Sequence, residues 1–192
     1  MARKKSAGSP RQRLLEVAER LFYAEGVHAV GIDRIIAEAG VAKASFYHHF
    51  RSKDDLVAAY LAEQSQAQRD KAADLPDGPP RARLMAIFDS VSEVARDPRY
   101  RGCPFVNAAA EFPDPDHPVR KVIADHRHWF RELLRDTLDG QPGAERTTDV
   151  LVALKDGLLV GADLDGRRSP DDVHAAVSAV LEDHRPRRRA RS

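Results

Sequence analysis

Hydrogen-bond donors are concentrated in residues 43–49 of this 192-residue chain. The donor side chains belong to Lys43, Ser45, Tyr47, His48 and His49. Val41, Phe46 and Phe50 supply apolar anchors to the same segment. A short helix with one apolar edge and one donor-rich edge suits the major groove of DNA, where base edges and phosphates accept hydrogen bonds. The segment therefore predicts a DNA-recognition helix.

A second apolar-periodic segment precedes this helix. Ile32, Ile35 and Ile36 repeat at helical spacing, and Ala39 continues the stripe. Gly40 follows where a helix end needs a positive φ angle, which glycine adopts without steric cost. Helix, tight turn and helix together form a helix-turn-helix layout. Because the same layout also occurs as a plain packing unit, this pattern alone leaves a DNA-binding and a structural interpretation open.

The residues after the recognition helix narrow the choice. The run Phe46-Tyr47-His48-His49-Phe50, followed by Ser52-Lys53-Asp54-Asp55-Leu56, resembles the signature of the tetracycline-repressor (TetR) family. That signature has a Tyr-x-x-Phe core and then opens the next helix with Ser-Lys-acidic-acidic-Leu. The resemblance implies an all-helical, homodimeric, ligand-responsive transcriptional regulator. It also implies a phosphate contact for Tyr47 and a position near the DNA backbone for Lys53.

The predicted DNA contacts combine the donor pattern with this resemblance. Lys43 begins the helix and is placed to meet phosphate, while Ser45, Tyr47 and His48 are candidates for base or backbone contact. For His49, a packing role is an equally good interpretation. The complete predicted set is Gly31, Lys43, Ala44, Ser45, Tyr47, His48, His49 and Lys53.

Two positions depart from the family pattern. Gly31 stands where a threonine hydroxyl commonly caps the helix and touches phosphate. Ala42 stands where a serine usually caps the recognition helix, and alanine is a poorer cap by about 1 kcal/mol. We expect the fold to survive both departures, although neither residue offers a side-chain hydroxyl to a phosphate.

Charge is distributed unevenly along the chain. The net charge is only +1, yet residues 1–56 hold ten basic and seven acidic side chains, and residues 185–192 hold five arginines and no acid. The intervening residues are net acidic, so the chain has a basic head on an acidic body, as expected for docking to phosphate by one end. The Arg3-Lys4-Lys5 arm and the 185–192 tail are predicted to be disordered in the free protein, with DNA contact as the alternative.

Helix-breaking residues divide the chain into about nine predicted helices and no strand. Ser9-Pro10 and Ser52 begin helices, Gly26 ends one, and breaker clusters follow at residues 75–80, 113–118 and 140–143. Ser169 is predicted to cap the last helix. The predicted organisation is an all-α protein, with a three-helix DNA-binding domain at 1–52 and a ligand-binding and dimerisation domain at 53–192.

The second motif lies in the body. Gly102-Cys103-Pro104-Phe105 is similar to a segment that marks one TetR subgroup. Aromatics beside small residues and one amide predict a cavity for an apolar or amphipathic effector. Its predicted lining is Phe88, Phe105, Asn107, Phe112 and Trp129. The alternative is that each aromatic simply fills core.

The sequence gives little support for a metal, catalytic or membrane site. His126 and His128 are two residues apart and point to different faces of a helix, so no metal site is predicted. No nucleophile motif, phosphate-binding loop or paired carboxylates stand out, so no enzyme and no cofactor are predicted. One cysteine, no signal peptide and no apolar run of the ~18 residues that span a bilayer predict a cytoplasmic protein without membrane contact.

Gly157 and Gly161 lie four residues apart in a predicted helix, where glycine costs about 1 kcal/mol relative to alanine. Close approach of another helix would compensate. The family resemblance implies that the last two helices pair with their symmetry mates, and packing within the chain is the alternative.

The function predicted is a homodimeric repressor released from a double-stranded DNA operator by a small organic effector. A constitutive DNA-binding or architectural protein without an effector is the alternative.

Overall fold

The computed structural model describes residues 8–166 and 170–183, and this part of the chain forms nine α-helices and no strand. The helices are α1 (Pro10–Glu25), α2 (Ile32–Ala39), α3 (Lys43–His49), α4 (Lys53–Ala73), α5 (Pro80–Ala95), α6 (Pro104–Glu111), α7 (Pro118–Thr137), α8 (Ala144–Leu164) and α9 (Pro170–Asp183). The all-α prediction is confirmed. The N-terminal arm, the Ser169 cap and the 185–192 tail lie outside the described residues.

The predicted helix boundaries follow from local backbone chemistry. Ser9 caps α1 by accepting a hydrogen bond from the Gln12 amide at 3.2 Å. Ser52 Oγ accepts from the Asp55 amide at 3.0 Å and so satisfies a donor at the start of α4. Gly40 ends α2 in the left-handed conformation, at a φ of 62°, as its position predicts. This turn sets the exit of the chain toward α3.

The described helices belong to two compact units. The first unit comprises the chain up to Ala67 together with Pro104–Asp125, and the second comprises Gln68–Cys103 and the chain from His126 onward. Helices α4 and α7 each contribute to both units. The predicted boundary at residue 52 separates DNA binding from ligand binding and dimerisation, not two compact units, and it stays a prediction.

Each unit has its own apolar core. In the first unit, fully buried Leu14, Ile35 and Phe46 join α1, α2 and α3. The second unit packs α5, the later part of α7, α8 and α9 around one cluster. Its most buried members are Leu84, Phe88, Leu134, Leu151 and Val177. None of the helices in the described ranges is both long and apolar enough to cross a bilayer.

A buried histidine in the second unit makes stability depend on pH. Burial lowers the pKa of His126 to about 3, and the nearby Lys155 acts in the same direction. The folded protein therefore holds a neutral imidazole, whereas the unfolded chain binds a proton near the ordinary pKa of about 6.5. Between these values the unfolded state binds more protons, so stability falls as the pH is lowered.

Lowering the pH from about 7.5 to about 5 should reduce the free energy of unfolding by about 2 kcal/mol through His126. His126→Gln should lose this component, because it cannot take up a proton in either state. Urea denaturation at the two pH values measures the difference. His128→Gln replaces an exposed histidine two residues along and should retain the wild-type dependence. Equal pH dependence in wild type and His126→Gln would contradict the assignment.

Candidate DNA interface

Helix α3 presents two unlike edges. Phe46 is fully buried, and its ring packs against that of Phe50 at 5.9 Å between centroids. Tyr47, the next residue, is 49% exposed and meets the Phe46 ring edge-on at 5.2 Å. The buried edge fixes the rotation of α3 in the first unit. The opposite edge is left at the surface with its donors outward.

Most of the predicted contact residues lie at the surface, and four of them are on the outward edge of α3. Gly31, Lys43, Ala44, Tyr47 and His48 are exposed. The other three, Ser45, His49 and Lys53, are half-buried. Their roles in DNA contact stay predictions, but their placement leaves a donor surface open to a partner.

The two departures from the family pattern are visible as missing caps. Gly31 and Ala42 occupy the N-cap positions of α2 and α3, and neither helix start has a side-chain cap hydrogen bond. A Cβ at Gly31 would meet nothing within 4 Å. Neither helix start therefore has a side-chain oxygen that accepts a hydrogen bond from its first amides.

Several basic side chains of the helix-turn-helix form ion pairs with acidic side chains. Lys43 Nζ lies 3.0 Å from Asp33 Oδ1, and this hydrogen bond raises the pKa of Lys43. Arg34 binds Glu25 at 2.6 Å and Glu38 at 2.9 Å, which raises the pKa of the guanidinium. Sequence reasoning identified Lys43 but not its acidic partner, because a ten-residue separation across a turn has no helical periodicity.

Glu111 of α6 accepts two hydrogen bonds from the loop between α1 and α2, and we call this arrangement the Glu111 clamp. Glu111 Oε1 accepts from the Val27 amide at 2.7 Å, and Oε2 accepts from the His28 amide at 2.6 Å. Gly26 lies against the same carboxylate, which a Cβ there would approach to 3.4 Å. These contacts could not be predicted from the sequence, because residues more than 80 positions apart give no local signal.

Further side chains join α4 to the start of α7 within the first unit. His117 Nε2 lies 3.2 Å from Asp54 Oδ2. The ring of Phe112 packs at a tilt against His117, at 4.6 Å between centroids, and meets the edge of His28 at 5.4 Å. Partial burial lowers the pKa of Lys53, against the opposing effect of Glu111 and Asp54. Lys53, predicted to lie near the DNA backbone, is therefore partly buried beside two carboxylates.

The five predicted ligand residues divide between the units. Phe105 and Phe112 are buried in the first unit, whereas Asn107, which was predicted to line the cavity with them, is exposed. In the second unit, Phe88 is fully buried, and half-buried Trp129 lies under the Arg69 guanidinium at 4.9 Å. Their role in binding a ligand stays a prediction.

The second unit contains a small cleft at a different place. It lies between α5, α8 and α9, and its interior of about 10 Å³ has room for roughly one water molecule. Its walls are formed by Val91, Ser92, Ala95, Arg96, Leu158, Leu159, Ala162 and Val173. None of the predicted ligand residues is among them. Within the described ranges, no three His, Cys, Asp or Glu side chains converge on a possible metal site.

One face of α8 is apolar and uncovered. Val160 is 40% exposed and Leu164 is 76% exposed, and Val150 lies on the same stripe. Gly157 lies between them, with nothing within 4 Å of a Cβ at that position. The sequence prediction put Gly161 on the same contact face, but Gly161 is buried within the chain. Of these two glycines, Gly157 is the one that remains open to another helix.

Two family profiles match this chain. The profile for bacterial regulatory proteins of the tetR family matches residues 14–60, which include α2 and α3. A second profile, the tetracyclin repressor-like C-terminal domain, matches residues 80–164. Among curated relatives, the transcriptional regulator LmrA of Bacillus subtilis is 28% identical over 186 residues, covering 93% of this chain and 97% of that protein. The transcriptional repressor DhaR of Mycobacterium sp. is 27% identical and covers 87% of this chain and 89% of that protein.

Solved structures agree over nearly the full length. SCO4454, a TetR-family regulator from Streptomyces coelicolor, superposes with a TM-score of 0.81 at 38% identity, over 91% of this chain and 95% of that one. A putative TetR regulator from Streptomyces avermitilis also has a TM-score of 0.81, at 30% identity, over 92% of this chain and 98% of that one. A recognition helix with an outward donor edge, both family profiles and these relatives together show that this chain belongs to the TetR family of transcriptional regulators.

Proposed function

We propose that this regulator is a homodimeric repressor that leaves its operator when a small organic effector binds the body. The main support is the outward donor edge of α3. Phe46 is buried on the opposite edge, so Lys43 and Tyr47 lie at the surface, where they could enter a DNA major groove. Repression is favoured by the similarity to DhaR, a transcriptional repressor. The resemblance of the Gly102–Phe105 segment supports the further proposal that the chain belongs to one TetR subgroup.

Operator recognition by a dimer follows from groove geometry. Two recognition helices related by a twofold axis fit successive major grooves when they lie roughly 34–36 Å apart. The uncovered apolar face of α8 supplies a surface for the symmetry mate, and Ala175 and Ala179 of α9 are small and exposed. We infer that α8 and α9 form the dimer interface.

Release from the operator requires only that the effector bind one conformation of the protein modestly more tightly than the other. A tenfold to hundredfold reduction of operator affinity needs about 1.4–2.8 kcal/mol of differential binding between two conformations. Helix α4 is the covalent route for this shift, since it belongs to the first unit up to Ala67 and to the second from Gln68. The effector proposed is apolar or amphipathic, held near the aromatic side chains of the body.

One observation favours the alternative of a DNA-binding protein without an effector. Phe88 and Phe105 are almost completely buried, and they do not line the cleft described above. Binding to the DNA that flanks the chain's own gene, measured with and without candidate ligands, separates the two functions. Compounds that both raise the thermal stability and release the DNA support the effector. Operator binding that no stabilising compound alters supports the alternative.

The DNA contacts are tested by Tyr47→Phe and Lys43→Ala. Both variants should weaken binding while the dimer stays folded, because each removes a donor from the exposed edge of α3. Lys43→Ala should also reduce the log–log salt slope by about 0.9 per protomer if the lysine binds one phosphate. Fluorescence anisotropy at several salt concentrations measures both effects.

Lys71→Ala is the matched control, since Lys71 is an exposed lysine in the last turn of α4 and outside the helix-turn-helix. It should leave affinity and salt slope near the wild-type values. Wild-type affinity in both Tyr47→Phe and Lys43→Ala would remove this edge of α3 from the interface.

A further inference from the structure

An exposed carboxylate lies beside the lysine that begins α3. Asp33 occupies the first turn of α2, and its Oδ1 lies 3.0 Å from Lys43 Nζ. The Asp33 side chain is 83% exposed and that of Lys43 is 62% exposed. The pair therefore forms at the surface of the helix-turn-helix, at the N-terminal end of the helix proposed to enter the groove.

Stability does not explain the position of this pair. Ion pairs between exposed side chains contribute little to folding, because water and salt screen them. The pair also affects DNA binding, since a phosphate that approaches Lys43 must displace the carboxylate or accept its repulsion. Non-specific association with DNA depends almost entirely on such lysine–phosphate contacts and on the counterions they release.

We propose that Asp33 is a positioning residue that holds Lys43 away from DNA phosphates and so restrains sequence-independent binding. The carboxylate neutralises Lys43 in the free protein and adds a negative charge near the phosphate path. Both effects weaken binding to random-sequence DNA, whereas on the operator the closer fit of α3 lets Lys43 exchange the carboxylate for a phosphate. This inference rests on the proposed function, in which Lys43 faces the DNA.

The test replaces Asp33 with asparagine, which keeps the shape of the side chain and removes its charge. Asp33→Asn should bind a random-sequence duplex roughly three- to tenfold more tightly than wild type at low salt. Its log–log salt slope should steepen by up to ~0.9 per protomer, because Lys43 then binds a phosphate. A steeper slope is the informative readout, since a purely structural defect would not add a phosphate contact.

Two comparisons isolate the mechanism. Asp77→Asn removes a carboxylate that is also exposed and ion-paired, with Arg83 at 2.9 Å, but lies outside the helix-turn-helix. It should leave random-sequence binding unchanged. In a Lys43→Ala background, Asp33→Asn should no longer steepen the salt slope. Circular dichroism and sedimentation confirm that all variants are folded and equally oligomeric.

The outcomes separate this inference from the function on which it rests. If Lys43→Ala leaves operator binding unchanged, the proposed interface is wrong. If Lys43→Ala weakens operator binding but Asp33→Asn fails to strengthen random-sequence binding, only the role of Asp33 is overturned. An equal gain in Asp77→Asn would also overturn that role, because net charge alone would then explain the effect.

Discussion

Gly157→Arg should convert the protein to a monomer and reduce operator affinity by roughly 10²–10⁴-fold, the gain that a second linked site normally provides. The exposed face of α8 carries Gly157 between apolar side chains, and a helix can approach closely there because no Cβ intervenes. An arginine would place a long charged side chain against a partner helix. Sedimentation velocity gives the oligomeric state, and anisotropy on operator DNA gives the affinity.

Within the single chain, the same substitution should do no harm. A Cβ at Gly157 meets nothing within 4 Å, and replacing a helix-interior glycine gains up to about 1 kcal/mol in helix propensity. Gly157→Ala is therefore the matched control, expected to remain dimeric because its side chain is small. A stable Gly157→Arg protein that stays dimeric would place the interface elsewhere.

Glu111→Ala should lower the free energy of unfolding by about 2 kcal/mol, because it removes two charge-assisted hydrogen bonds to backbone amides. For a chain of this size, the melting temperature should fall by about 4–8 °C. The amides of Val27 and His28 lose their acceptor and should exchange with solvent faster. Thermal denaturation and hydrogen–deuterium exchange measure these two effects.

The exchange result distinguishes the clamp from a general loss of stability. Faster exchange should be concentrated in the loop between α1 and α2, and DNA affinity should fall with it, because this loop leads into α2. Glu93→Ala, which removes an exposed glutamate from α5, should change neither property. If Glu111→Ala exchanges like wild type at Val27 and His28, the clamp has no role in holding the loop.

Local signals account for the parts of this molecule that the sequence predicts well. The Ser9 cap, the positive φ of Gly40 and the capping of α4 by Ser52 each depend on residues within a few positions. The apolar stripe that buries Phe46 likewise repeats every helical turn. These features define the helix-turn-helix and the outward edge of α3.

Contacts distant in sequence could not be predicted in the same way. Nothing local to Asp33 indicates that it meets Lys43, and nothing local to Glu111 indicates a clamp on Val27. Burial of individual residues on an amphipathic helix was also mispredicted. Asn107 was expected to line a cavity and is exposed, and Gly161 was expected at a dimer contact and is buried. Rotating a helix by part of a turn would change whether each of these residues is buried, and the composition of the helix does not specify that rotation.

The Glu111 clamp also limits how freely this protein can be recombined with its relatives. The compact unit that contains α1, α2 and α3 also includes Pro104–Asp125, so the DNA-binding head is discontinuous in the gene. A chimera that exchanges only the N-terminal segment separates the α1–α2 loop from the glutamate with which it evolved. Hybrid regulators built from this chain therefore need both segments from the same parent, and an operator-specificity graft should carry α6 with it.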